Sequence, residues 1–379
     1  MISPEKFVTA LKKSGITFIS GVPDSLLKDA CQCISETYGP QQHITATNEG
    51  SAFAMAIGHY LATGKPGFVY MQNSGLGNIV NPLCSLANQK VYAIPMVLMI
   101  GWRGEMCKDG SQIKDEPQHT KQGMVTLSQL ELLDIPYTVL SGDEDVFSLL
   151  DKNVKKSLEI QGPVALVIRK NTFSKFKSAD YQETDSLLTR EKVIEILIES
   201  IPENAPVVST TGKTSRELFE LRKSHKSGHF KDFLTVGGMG HASQIATGIA
   251  LALPNNPVYC IDGDGAVLMH MGGLFVSGKQ PNIKHIVINN GSHDSVGGQP
   301  TLALEKNLSE IAKDCGYGFV RKAVTTEEIK QGIKDLNDSI ESGFLEIKCK
   351  RGARKDLGRP DRTPKQNKID FMSFLKQLK

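Results

Sequence analysis

Short apolar runs recur along the whole chain, and nearly every one ends on polar residues. Residues 16–22, 94–100, 137–140, 163–168, 207–211, 258–261, 285–288 and 344–347 are such runs, rich in β-branched and large apolar side chains. Their length and composition predict buried strands. The stretches between them carry helical spacing. Ser3-Pro4 opens one, with Phe7 and Leu11 on one face and Gly15 as its stop. Others are predicted over 26–35, 51–62, 191–201, 266–277, 308–313 and 326–336, with a small-residue helix running to Leu253. Strand, helix and strand in alternation predict α/β architecture with parallel sheets. The pattern runs through both halves, which predicts two doubly wound domains. The first covers residues 1–180 with a polar linker (170–185) at its end, and the second covers 187–379.

The stretch 258–298 has the most specific chemistry. Its first strand ends in Asp262-Gly263-Asp264-Gly265, and its second, 285–288, ends in Asn289-Asn290. Neighbouring ends of a parallel sheet lie side by side, so Asp264 and Asn290 can converge on one point. A carboxylate and an amide oxygen are hard ligands suited to Mg²⁺, which also takes phosphate oxygens. Gly263 and Gly265 let backbone N–H groups approach an anion, and the helix start that follows favours negative charge.

Asp264 and Asn290 stand 290 − 264 = 26 residues apart. With that interval, GDG and NN resemble the diphosphate–metal signature of thiamine-diphosphate enzymes. The resemblance implies thiamine diphosphate and Mg²⁺ as cofactors, with Asp264, the Asn290 side chain and the Ser292 carbonyl on the metal. It further implies that Thr211, Gly212, Gly238, Gly263, Gly265, Ala266 and Asn290 hold the cofactor. Met239 would prop it in a bent shape, although core filling also explains a methionine. The implied fold is a pyrimidine-binding domain followed by a diphosphate-binding domain, with no middle domain. A homodimer or larger homo-oligomer with active sites at the subunit interface also follows from the resemblance.

In the first half, Asn48-Glu49 precedes a helix of small residues, and Gly67-Phe-Val-Tyr-Met-Gln-Asn-Ser-Gly75 leads into the turn Gly75-Leu-Gly-Asn78. Read alone, Glu49 is a helix-start carboxylate, favourable to the macrodipole. By resemblance it bonds the aminopyrimidine ring and drives loss of the proton from thiazolium C2. Asp24 and Ser25, in Gly21-Val-Pro-Asp-Ser25, can each cap the next helix. The family also places a catalytic acid in this loop.

After the strand 94–100 comes Gly101-Trp-Arg-Gly-Glu105 and a polar segment running to Gly123. Its length without apolar periodicity predicts a functional loop, with His119 as a candidate proton donor. These motifs, with Asp115-Glu-Pro-Gln-His119, His293-Asp-Ser-Val-Gly-Gly-Gln-Pro-Thr301 and Arg354-Lys-Asp-Leu-Gly-Arg-Pro360, resemble two-domain decarboxylases of phosphonate-bearing 2-oxo acids; the alternative is the sulfonate-specific decarboxylases, which often carry the two domains on separate chains. Candidate substrate contacts are therefore Asp24, Ser25, Arg103, His293, Arg354 and Arg359. Two other readings belong to different classes. A carboligating synthase would normally have a middle domain. A cofactor-binding regulator without catalysis would not need Glu49.

Bulk properties narrow the setting. Net charge is +3, which makes no case for nucleic acid. The longest apolar run, 92–100, is too short to cross a bilayer. Seven cysteines follow neither a zinc nor a dense disulfide pattern, and with no secretory leader apparent the expected compartment is the cytoplasm. From Lys348 the chain is basic, with eleven Lys and Arg against Asp356, Asp361 and Asp370. Such a run is predicted to be a solvated tail unless its arginines close over an anionic substrate.

Overall fold

The computed structural model describes residues 1–177 and 187–378. Its chain divides into two compact units, Met1–Asp180 and Tyr181–Lys379. Much of the predicted linker, 170–185, lies outside the described residues. Unit one carries six strands: β1 (Ile19–Gly21), β2 (His43–Thr45), β3 (Gly67–Gln72), β4 (Met96–Gly101), β5 (Tyr137–Leu140) and β6 (Pro163–Ile168). Unit two carries β7 (Val207–Ser209), β8 (Asp232–Leu234), β9 (Val258–Gly263), β10 (Ile283–Asn289), β11 (Phe319–Ala323) and β12 (Gly343–Lys348). Every pairing between these strands is parallel. The central strands β4, β6 and β10 are buried along their whole length, as helices on both faces require.

Strand order fixes where a ligand can sit. In unit one it is β2-β1-β3-β4-β6-β5, and in unit two β11-β12-β10-β9-β7-β8. The chain leaves β1 toward one edge and β3 toward the other, which opens a crevice between their carboxyl ends. The same reversal separates β7 from β9. Doubly wound sheets bind ligands at such switch points. Asp24 follows β1, Gln72 ends β3, Thr211 and Gly212 follow β7, and Asp264 follows β9.

Three predicted elements differ from the structure. The polar segment expected to loop as far as Gly123 instead enters a helix at Pro117, running Pro117–Leu132. Its buried face is His119, Gly123, Thr126 and Leu130, spaced helically but mostly polar or small, so hydrophobic periodicity could not reveal it. Gly123 is needed there, because a Cβ would collide with the Gly104 carbonyl. Second, the helix expected over 266–277 is broken into Asp264–Met269, a tight turn at Met271–Gly273, and Leu274–Ser277. His270 leaves helical geometry at the break, just before the glycine pair Gly272-Gly273.

Third, the basic tail ends in a helix, Pro364–Lys376, opened by a capping box of Thr363 and Gln366. Its Phe371 and Phe374 are buried. Asn367 bonds the Leu234 N–H and the Asp232 carbonyl, sealing the outer edge of β8.

Candidate active site

Unit one gathers Asp24, Ser25, Arg103 and His119 around the carboxyl ends of β1 and β4. Arg103 follows β4, and its guanidinium forks Asp115 through Nε at 2.7 Å and Nη2 at 2.5 Å. Arg103 Nη1 donates to Ser25 Oγ at 2.8 Å. Asp24 is fully buried and accepts from Gln72 Nε2 at 2.7 Å and from the Leu26 N–H at 2.9 Å. Burial pushes its carboxyl above the usual range, opposed by the Gln72 bond and the Arg103 charge. Gly101 is bare because a Cβ would lie 2.2 Å from Asp24 Oδ2. Burial would raise Asp115, but the Arg103 fork and the Glu116 N–H hold it below the ordinary value.

His119 is buried in the first turn of its helix, and its Nδ1 has no partner among the described residues. Burial, and then the Arg103 charge, lower it to about 4. His43, beside the Tyr70 hydroxyl at 2.9 Å, is also lowered to about 4 by burial. Both rings stay neutral in the fold until about pH 4, whereas in the unfolded chain each takes a proton near 6.5. Their contribution to stability is therefore complete above pH 6.5 and is lost as pH falls toward 4. Urea midpoints at pH 7.5 and pH 5 should differ, and the drop should shrink in the double variant His43→Gln/His119→Gln. An equal drop in wild type and variant would contradict the assignment.

Glu49 begins the helix Glu49–Thr63 and is buried. Asn78 Nδ2 donates to its Oε2 at 2.6 Å. Its Oε1 faces Gly75, where a Cβ would lie 2.6 Å away, so this carboxylate is cradled by a residue with no side chain.

Unit two gathers the other group. Ile288 pairs with Gly263, which brings Asn290 beside Asp264. The Asn290 N–H and the Thr301 hydroxyl both bond the Asp264 carboxylate. Burial nevertheless pushes Asp264 up to about 6. Gly265 is the next cradle: a Cβ there would lie 3.1 Å from His293 Cε1 and 3.3 Å from Met239 Cε. His293 is buried and lowered to about 4 by that burial.

Gly212 and Gly238 both hold positive φ, which favours glycine, and a Cβ on Gly212 would lie 2.6 Å from Ser295 Oγ. Ala266 is buried in the helix start after Asp264. Thr211, Gly212, Met239, Asn290, Ser292 and His293 thus belong to the loops at the carboxyl ends of β7 to β10, and Asp264 and Gly265 to the helix start after β9. Arg354 is held elsewhere by Glu191, Glu220 and Asp356, and Arg359 lines a surface hollow with Phe219, Lys223 and Asp361.

These residues fit a diphosphate and a hard cation. Asp264 is a buried carboxylate without an ion-pair partner among the described residues. The Ser292 hydroxyl and both amide atoms of Gln299 are buried and have no hydrogen-bond partner among the described residues. Such a set of oxygens and bare backbone suits Mg²⁺ and phosphate rather than a soft metal. Sequence reasoning missed Thr301, Asp294, Gln72 and Asp115, and none of the four carries a motif role that names its partner. One further buried group, Cys260, Asp262 and His285, stands behind Asp264, with His285 Nε2 3.4 Å from Asp262 Oδ2.

Comparison with known proteins agrees with this geometry. The family described as "Thiamine pyrophosphate enzyme, N-terminal TPP binding domain" matches residues 4–130, and its C-terminal TPP binding domain matches 210–347. A phosphonopyruvate decarboxylase of Streptomyces viridochromogenes is 34% identical over 99% of this chain and 95% of its own length. One from Streptomyces hygroscopicus is 33% identical over 99% and 94%. The sulfopyruvate decarboxylase subunit beta of Methanococcus maripaludis is 32% identical, but over 50% of this chain and 99% of its own. Two domain matches in the expected order, with likeness along the full length, make this chain a member of the thiamine pyrophosphate enzyme family.

Proposed function

We propose that the chain decarboxylates 3-phosphonopyruvate to phosphonoacetaldehyde and CO₂, a step in phosphonate biosynthesis, using thiamine diphosphate and Mg²⁺. The observation that carries the substrate is the Arg103 cluster, supported by the full-length likeness to phosphonopyruvate decarboxylases. Residues 1–180 are proposed to hold the pyrimidine and 187–379 the diphosphate. Asp264, the Asn290 amide oxygen and the Ser292 carbonyl would hold Mg²⁺. When bound, thiamine diphosphate supplies a carbon nucleophile and an electron sink for the departing carboxylate.

The chain's own residues do the rest. Glu49 has one oxygen occupied by Asn78, and its Oε1 is left for a hydrogen bond to the pyrimidine ring. Asp24, whose buried carboxyl is pushed above its usual value, is our candidate for the group that delivers the proton taking the place of CO₂ on the product. His119, neutral at pH 7, can donate only as an uncharged ring.

Decarboxylation discharges the carboxylate, so a strong cation on that end would hold back the reaction. The cation should grip the phosphonate, which keeps its charge throughout. Arg103 is always charged, and Ser25 Oγ, having accepted from Arg103, keeps its own proton for an anionic oxygen. Kinetics with phosphonopyruvate, sulfopyruvate and pyruvate side by side test the reading. Phosphonopyruvate should give the highest kcat/KM. Arg103→Ala should raise its KM about tenfold or more, with slow pyruvate turnover nearly unchanged. Arg103→Lys, which keeps a charge opposite Asp115 but loses the fork, should fall between. Equal losses on all substrates would make Arg103 structural, and preference for sulfopyruvate would favour the sulfonate reading.

The pyrimidine and diphosphate grips stand on separate units, and we propose a homodimer or larger homo-oligomer in which they meet across subunits. Seven free cysteines fit a reducing, cytoplasmic setting. No helix among the described residues is long and apolar enough to cross a membrane.

A further inference from the structure

We propose that Asp294 is a positioning residue that orients Asn290 for its cation, by capturing the amide nitrogen so that the oxygen is left to ligate. The inference rests on the reading of Asp264 and Asn290 as metal ligands.

An asparagine presents two ends of nearly equal size, and only the oxygen can bind Mg²⁺. Nothing in Asn290 itself chooses between them. Asp294 Oδ2 lies 2.7 Å from Asn290 Nδ2. An ionised carboxylate only accepts, so a flipped amide would set oxygen against oxygen. Asn290 Oδ1 accepts from the Ser292 N–H at 3.0 Å and keeps a second lone pair for a cation.

Asp294 is itself firmly held. The same Oδ2 receives Arg190 Nη1 at 3.0 Å and the Gly352 N–H at 2.9 Å. Arg190 is buried at the first turn of the helix Arg190–Ser200 and forks Glu217 at 2.7 and 2.9 Å. Asn290 is thereby tied through Asp294 to two helices and to the segment after β12. Gly291, at φ +61°, turns the chain so that residues 290 and 294 face each other. Arg351 Nη2 on the Gly291 carbonyl, at 3.2 Å, holds that turn from outside.

A purely structural ion pair would affect melting but not metal affinity at saturating cofactor. The test is calorimetric titration of Mg²⁺ into metal-free protein with excess thiamine diphosphate. Asp294→Ala should weaken Mg²⁺ at least about tenfold, the scale of one hydrogen bond to a charged group. High Mg²⁺ should restore cofactor binding. All three donors meet one oxygen, so Asp294→Asn can put its carbonyl oxygen there and should keep most of the affinity. Asp294→Ser offers only a shorter hydroxyl and should lose affinity like the alanine, which covers the case in which Asp294→Ala does not fold. Affinity within about twofold of wild type in either soluble variant overturns the proposal. Asp264→Ala in parallel separates the two levels. If it too binds Mg²⁺ normally, the metal reading fails and this one with it. If Asp264→Ala is impaired and the Asp294 variants are normal, only the role of Asp294 fails.

Discussion

Asp264→Ala should yield a folded protein that no longer takes up thiamine diphosphate with Mg²⁺. Removing a charged ligand beside a diphosphate costs several kcal/mol, on the order of a hundredfold or more in affinity. The fold should largely survive. Burial raises the Asp264 pKa to about 6, which disfavours its charge near pH 7, while the bonds from the Asn290 N–H and the Thr301 hydroxyl favour it. Metal-free Asp264→Ala should therefore melt close to the wild-type temperature. The rise in melting temperature that cofactor and Mg²⁺ give the wild type should vanish. Calorimetry finding wild-type cofactor affinity in the variant would remove Asp264 from the metal site.

Glu49→Gln is expected to separate binding from activation. The substitution preserves size and can still accept from Asn78, and Gly75, without a side chain, leaves the same space for the amide. An amide cannot take on the proton-directing role of a carboxylate, so decarboxylation should fall by roughly two orders of magnitude or more. Cofactor affinity should change little. Exchange of the C2 proton of bound cofactor, followed by NMR, should slow in parallel with turnover. Wild-type exchange in Glu49→Gln would leave Glu49 as a helix-start carboxylate and nothing more.

Asp264 and Asn290 were legible at a distance because their 26-residue interval resembles the thiamine-diphosphate signature and because neighbouring parallel strands end side by side, as Ile288 opposite Gly263 does. Glu49 was legible for a similar reason, since it sits between a strand and a helix made of small residues. Arg103 with Asp115 was not. The two are twelve positions apart in an irregular segment, where no periodicity links them.

The helix Pro117–Leu132 was hidden because its buried face mixes polar and small residues, His119, Gly123 and Thr126, with Leu130, which packs into the core. The tail helix was hidden by charge: its lysines face out while Phe371 and Phe374 turn in. Arg354 was conspicuous in sequence, yet three carboxylates hold it. Charge along a chain marks where cations are, and only the fold tells what they face.

The most direct measurement follows phosphonopyruvate labelled with ¹³C at its carboxyl, by ¹³C and ³¹P NMR, with and without thiamine diphosphate and Mg²⁺. One CO₂ and one phosphonoacetaldehyde should appear for each substrate consumed, only when both cofactors are present, and not in Glu49→Gln on the same timescale. Product forming at equal rate without thiamine diphosphate, or no CO₂ from the fully loaded wild type, would contradict the account.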